Sequence, residues 1–562
     1  MRPVVFILLL LSCAVRAQGV PDAFEITQRF ADSGALQLAL ARVEQLQPAS
    51  VAAPRWYAWE QLRCTLLGRL SRYQELAKRV AAQPANVDPK LLRVCILQGS
   101  RAAVAIGDAV TARVWLSRMI WRQDLAVDDL RQARLVVIES YLAENKPQDA
   151  YALMLRYQQD YKPVDRDTAA RFVDALLASG MDNEAVNWMA ALDDASPVKL
   201  LLRLRMNLAA PDAIIAQARA AILKANLAAY WQVIQQAGAA QKNRVVQAEA
   251  LENLLQLAAD DPAERVRAAA DELWKTYAAA AEEVANTSGL LVGDDGGWAD
   301  LAARRGTANP VEGRALFAYL ALRSRLNATR QSAQLQLAFS LQNSKLNLVA
   351  VRLLDDATKF PVAQLDPQAR YLLGAMAVES SQALQAARFW QGLQTPATVD
   401  GDEWRVRVAA VLVRAGVADA GVDALRALIA GKKSLAPDVM QRAVAVVQEL
   451  QDTGFAKSAD EMYRTLMPLA GPRERRDILF GLARLAESAN DFQRAADFYL
   501  ESALGTDSKT PDAFAINARI AAASNLARAG LKDDARAQFD WLRRNVREAD
   551  RLEAIRREAS RL

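Results

Sequence analysis

Residues 478–504 read ILFGLARLAESANDFQRAADFYLESAL, and residues 513–542 read AFAINARIAAASNLARAGLKDDARAQFDWL. In the first stretch Asn490 stands at a polar break, Ala495 follows five residues later and Tyr499 four after that. In the second the same offsets fall on Gly530, Ala535 and Phe539. The offsets have a mechanical reason. A residue that tolerates positive φ ends one helix. The alanine lies where the returning helix crosses it, and its small side chain lets the backbones approach. The large residue one turn further on shares the alanine's face, because i and i+4 are neighbours on a helix.

The triplet recurs along the chain. It appears at Gly34, Ala39 and Val43, and at Gly107, Ala112 and Leu116. Further copies fall on Asn145, Ala150 and Met154, and on Gly180, Ala185 and Met189. After a gap come Gly416, Gly421 and Leu425, then Gly454, Ala459 and Tyr463. The turns from Gly107 to Gly180 lie 38 and 35 residues apart, and those from Gly416 to Gly530 lie 38, 36 and 40 apart. Self-similarity at this period marks a stack of helical hairpins.

The pattern resembles the tetratricopeptide repeat, whose period is about 34 residues. Leu482-Ala483, Asn490-Asp491-Phe492, Ala495 and Tyr499 carry the best match. Gly421 departs from it, standing where an alanine is expected, and the proline that closes each unit is mostly missing. The resemblance implies an all-α fold, a right-handed α-solenoid of stacked antiparallel helical hairpins. It also implies a groove, lined by the first helix of each hairpin, that binds a protein partner.

Length and composition agree with an all-helical array. The chain has 562 residues, more than one compact core accommodates. Apolar residues make up 52%, charged residues 24%, and the formal net charge is +5. That mild positive balance is scattered among acids, so a nucleic-acid partner is not expected. Histidine is absent. Its absence removes Ser-His-Asp and Cys-His chemistry and most zinc or haem ligation. No catalytic residue, metal ligand or cofactor site is therefore expected.

Residues 1–17 read as a secretory signal: Arg2, an apolar run from Val4 to Leu11, and small residues at Val15 and Ala17. The mature protein is then periplasmic or secreted. Leu10-Leu11-Ser12-Cys13 also resembles a lipobox, which makes an outer-membrane lipoprotein anchored through Cys13 the alternative. No later stretch is long and apolar enough to span a membrane. Removal of residues 1–17 leaves Cys64 and Cys95, and an even count in an exported chain invites a disulfide between them.

The expected organisation is an N-terminal solenoid over 18–285, a glycine-rich junction over 286–309, a C-terminal solenoid over 310–545 and a helical cap over 546–562. The junction contains Gly293-Asp294-Asp295-Gly296-Gly297-Trp298, with Trp298 as an apolar anchor. The leading functional expectation is a non-enzymatic exported scaffold in cell-envelope assembly or polysaccharide export. The first alternative is a peptidoglycan- or polysaccharide-binding module that uses some of the 11 tryptophans as platforms. The second is a carboxylate-based wall enzyme, similar to the superhelical part of lytic transglycosylases. Glu-Ser pairs occur at Glu139, Glu379, Glu487 and Glu501, without that family's companion motif.

Overall fold

A computed structural model describes residues 22–83, 93–121, 125–285, 290, 293–505, 512–547 and 549–560. The expected signal and Cys13 lie outside these residues. Regular structure among them is helical throughout. The chain forms two compact units, Met1–Lys224 and Ala225–Leu562. They part at Lys224, not in the 286–309 segment where the composition changes.

Most hairpins of the two units are closed by one kind of turn. At Gly34 the turn residue has φ +90°, its N–H donates to Ala31 O at 3.2 Å, and the next N–H (Ala35) donates to Phe30 O at 2.9 Å. This is the Schellman motif, which satisfies carbonyls left over at a helix end. It repeats at Gly107, Asn145, Gly180, Gly416, Gly454, Asn490 and Gly530. Five residues on, Ala39, Ala112, Ala150, Ala185, Ala459, Ala495 and Ala535 are completely buried. Four further, Val43, Leu116, Met154, Leu425, Tyr463, Tyr499 and Phe539 are buried too.

The Gly180 copy departs from the expected pattern. Its second helix runs only from Asp182 to Ala185 before tightening to a 3₁₀ turn over Val186–Ala191. The tighter winding buries Trp188 and leaves Met189 half-buried.

The repeat also continues where the sequence pattern fades. Ser71, Lys242, Lys345 and Ser381 adopt φ between 55° and 60° and close the same turn. The offsets then fall on Leu76 and Val80, Gln247 and Leu251, Ala350 and Leu354, and Ala386 and Trp390, all buried. Ser71, not the nearby Gly68, thus makes the second turn; the Gly68 carbonyl accepts from it. At Asn207 the second helix starts at Pro211, two residues later than elsewhere. The buried positions move by the same two, to Ile214 and Ala218. Prolines open helices here rather than close units: Pro147, Pro310, Pro367, Pro437 and Pro472 occupy first-turn positions, where no N–H is needed.

In the second unit the glycine-rich segment is continuous with the core. Helix Asp295–Ala308 packs on Pro310–Arg323 so closely that a β-carbon on Gly313 would stand 2.5 Å from the Gly306 Cα. Trp298 is buried and stacks on Tyr319 with centroids 4.9 Å apart. The hairpin that follows is Asn327–Asn343 with Asn347–Leu354, closed at Lys345. Deeper in this core Glu252 and Arg314, both nearly inaccessible, pair through two hydrogen bonds of 2.8 and 2.5 Å. Tyr277 donates to the same carboxylate at 2.5 Å. Burial, then the Glu252 charge, pushes the Tyr277 hydroxyl well above its ordinary pKa. At the C-terminus helix Ala549–Ala559 covers the last hairpin, burying Ile555 against Phe539 and Leu542.

Candidate functional site

Three successive hairpins of the second unit place their first helices, Pro367–Glu379, Gly401–Arg414 and Pro437–Asp452, along one face. They line a trough of about 370 Å³. Its floor follows from sequence spacing. Ala375, Ala410 and Ala445 recur every 35 residues, so each hairpin contributes a methyl group at one height. Tyr371, Trp390, Val406 and Val446 complete the apolar lining. Trp390 packs on Trp404 at 4.9 Å and is parallel to Tyr371 within 14°.

The rims are charged. Along one edge Arg407 donates to Glu403 at 2.6 Å, while Arg442 donates to Asp438 at 2.7 Å and also contacts Glu403. Along the other edge lies a second 35-residue row, Glu379, Arg414 and Glu449. Arg414 holds both Glu449 oxygens at 3.0 and 3.1 Å. Glu379 accepts from the Asn347 amide at 2.7 Å. An apolar floor between satisfied polar rims is the anatomy of a surface that binds a macromolecule.

Two other recesses are occupied by their own charges. One, of about 660 Å³, lies beside helix Ala263–Val284. There Lys359 bridges Asp271 at 2.7 Å and Asp356 at 2.6 Å, and Arg388 faces Asp355 at 3.4 Å. Burial raises the Asp355 pKa against the pull of Arg388. The other, of about 320 Å³, lies in the first unit beside the fully buried Glu60. Glu60 is held by Arg79 at 2.8 and 2.7 Å and by Gln47 and Gln83 at 2.5 Å.

The residues singled out for chemistry are dispersed. Asp294 caps its helix by accepting from Gly297 N at 3.1 Å, and Asp295 is buried against the Ser324 hydroxyl. Of the Glu-Ser residues, Glu487 joins Arg528 and Tyr499, and Ser502 is buried against the Arg476 backbone. Among the described residues no cluster of three His, Cys, Asp or Glu suits a metal ion. Cys64 and Cys95 are free, fully buried thiols on facing helices, Trp56–Arg69 and Arg93–Ala105. The neighbouring Cys64 thiol, then burial, drives the Cys95 thiol pKa strongly upward, and the Cys95 thiol donates to the Glu60 carbonyl at 3.5 Å.

Eight tryptophans, including Trp56, Trp59 and Trp188, are buried. Trp115 and Trp541 are partly buried, and Trp121 alone is largely exposed, at 83%.

No protein-family model matches the chain, and no curated protein does. Solved structures that align along its length are helical repeat proteins. The APC/C hetero-tetramer Cut9–Hcn1 aligns at 9% identity, 96% coverage of each chain and a TM-score of 0.33. The pentatricopeptide repeat protein PPR10 from maize aligns at 14% identity over 94% of this chain and 74% of that one, with a TM-score of 0.27. Yeast Tom70 aligns at 12% identity over 96% and 94%, with a TM-score of 0.24. Scores this low add nothing to the tetratricopeptide-like fold that the chain's own hairpins define. Among the described residues no helix is long and apolar enough to cross a membrane.

Proposed function

We propose that the chain is a non-catalytic scaffold that binds a protein partner in the trough over Ala375, Ala410 and Ala445, and that it works after export, in the cell envelope. The trough carries this reading: three hairpins contribute one apolar floor, which packing of the hairpins alone does not require. The export part rests on the sequence of residues 1–17, and assembly of envelope or polysaccharide-export machinery is the setting that sequence suits. Glycan binding through stacked rings has little support, because Trp121 is the one largely exposed indole. Carboxylate catalysis has less, since Asp294 and Asp295 are engaged in capping and packing.

The test is site-specific photocrosslinking in intact cells. A photoreactive residue at Ala445, on the trough, is expected to give a protein adduct of defined mass. The same residue at Lys457, exposed on a second helix, is expected to give none. Equal or absent adducts at both positions would sink the proposal. N-terminal sequencing of the recovered protein tests export separately; a chain starting at Gln18 supports it and one starting at Met1 contradicts it.

A further inference from the structure

The trough's charges specify what lies in it. Its guanidiniums are already paired: Arg407 with Glu403, Arg414 with Glu449, and Arg442 with Asp438 and Glu403. Glu379 differs. No Lys or Arg nitrogen lies within 4.0 Å of it among the described residues, and its hydrogen-bond partner is the neutral Asn347 amide. The one unbalanced charge of the trough is therefore negative, and it stands at the end of the rim row that continues through Arg414 and Glu449.

The dimensions specify the conformation. Arg407 and Arg414 stand on opposite rims, seven residues apart on one helix, which is about 10.5 Å. A helix with its side chains is about 10–12 Å wide, so it does not fit between the rims once their side chains are added. An extended strand fits. Helix axes in contact lie about 8–10 Å apart, so crossing three of them takes about 16–20 Å. That is about six residues at roughly 3.3 Å each. A nucleic-acid strand is disfavoured, because phosphates need unpaired cations and the trough offers a carboxylate instead.

We infer, resting on the protein-binding reading above, that the occupant is an extended partner segment of about six residues. Its apolar side chains cover Ala375, Ala410 and Ala445, and a Lys or Arg side chain pairs with Glu379. The segment lies across the first helices, not along them.

The probe is a random heptapeptide display library selected on the full chain, with the enriched peptides synthesised and measured by fluorescence anisotropy. Enriched peptides are expected to combine apolar residues with one Lys or Arg. Ala410→Trp, which fills the floor, is expected to weaken them more than tenfold. Glu379→Lys is expected to weaken them about tenfold, with binding restored when the peptide's basic residue is replaced by Glu. Circular dichroism checks that each variant is folded, and Glu379→Gln supplies a milder change. Peptides weakened by Ala410→Trp but indifferent to Glu379→Lys would overturn the basic-residue inference and leave the trough reading standing. Peptides indifferent to both, or no enrichment at all, would overturn both. A labelled oligouridylate that binds wild type and is lost in Ala410→Trp would replace the protein segment with RNA.

Discussion

The Trp390 indole occupies the place of a Gly374 side chain: a β-carbon there would stand 1.9 Å from Trp390 Nε1 and 2.3 Å from Cδ1. The indole N–H donates to the Tyr371 carbonyl at 3.1 Å, on the same helix as Gly374. Ring and helix therefore hold each other in register in the lining of the trough. Gly374→Ala gains about 1 kcal/mol of helix propensity. It also forces a rigid ring outward, and overpacking costs about 1–3 kcal/mol. We expect net destabilisation of up to about 2 kcal/mol in urea unfolding, together with a shift in tryptophan fluorescence. An unchanged spectrum would show that the ring did not move.

The turns at Ser71, Lys242, Lys345 and Ser381 hold residues with side chains in left-handed backbone. That conformation costs such residues roughly 1–2 kcal/mol, part of which glycine returns through the entropy of its unfolded chain. Lys345→Gly is therefore expected to stabilise by about 0.5–1 kcal/mol, and Gly530→Ala to destabilise by about 1 kcal/mol. Denaturant midpoints of the two variants moving in the same direction would refute this.

Glu252 and Arg314 form a buried ion pair. Removing one member strands a charge, at about 3–5 kcal/mol. We expect Arg314→Met to cost that much and the double change Glu252→Gln with Arg314→Met to cost less. A double-mutant cycle with no coupling would contradict the geometry.

Asp512 accepts from both terminal nitrogens of Arg476 at 2.9 and 2.8 Å. That bond, chiefly, lowers its pKa to about 2. The folded value lies below the unfolded one. The stabilisation is therefore present above about pH 4 and is lost as pH falls toward 2. The side chain is about half exposed, so solvent screening keeps the effect below about 1 kcal/mol. Asp512→Asn is expected to lower stability at pH 6 and to match wild type at pH 2. A constant difference between the two would refute the assignment.

Cys64 and Cys95 are fully buried and the Cys95 thiol pKa is held high, so both are expected to resist exchange while the chain is folded. Oxidised glutathione is expected to leave both thiols unreacted under native conditions. In denaturant it is expected to take both, forming one protein disulfide and releasing two glutathione thiols. Peptide mapping without reductant checks this: a 64–95 link formed under native conditions would refute it.

Glycine and asparagine turns were readable because those residues announce positive φ, and the alanine and large residue followed at fixed offsets. The hairpins at Lys242 and Lys345 were not, because neither lysine signals a left-handed turn; hydrogen bonds to preceding carbonyls impose it. The 286–309 segment reads by composition as a junction, yet Gly306 and Gly313 are there to let two helices touch. The trough was legible only as a face. Its alanine row depends on three hairpins keeping a 35-residue register, and the isolation of Glu379 depends on what the neighbouring helices bring within reach.

Each hairpin supplies one alanine of the trough floor and none supplies all three. Ala375, Ala410 and Ala445 keep their spacing only while neighbouring hairpins keep their mutual tilt, although every Schellman turn would survive a change in that tilt. Bending the stack would therefore lengthen or shorten the alanine row without unfolding a helix, and the contact of the proposed partner with that row would change in step.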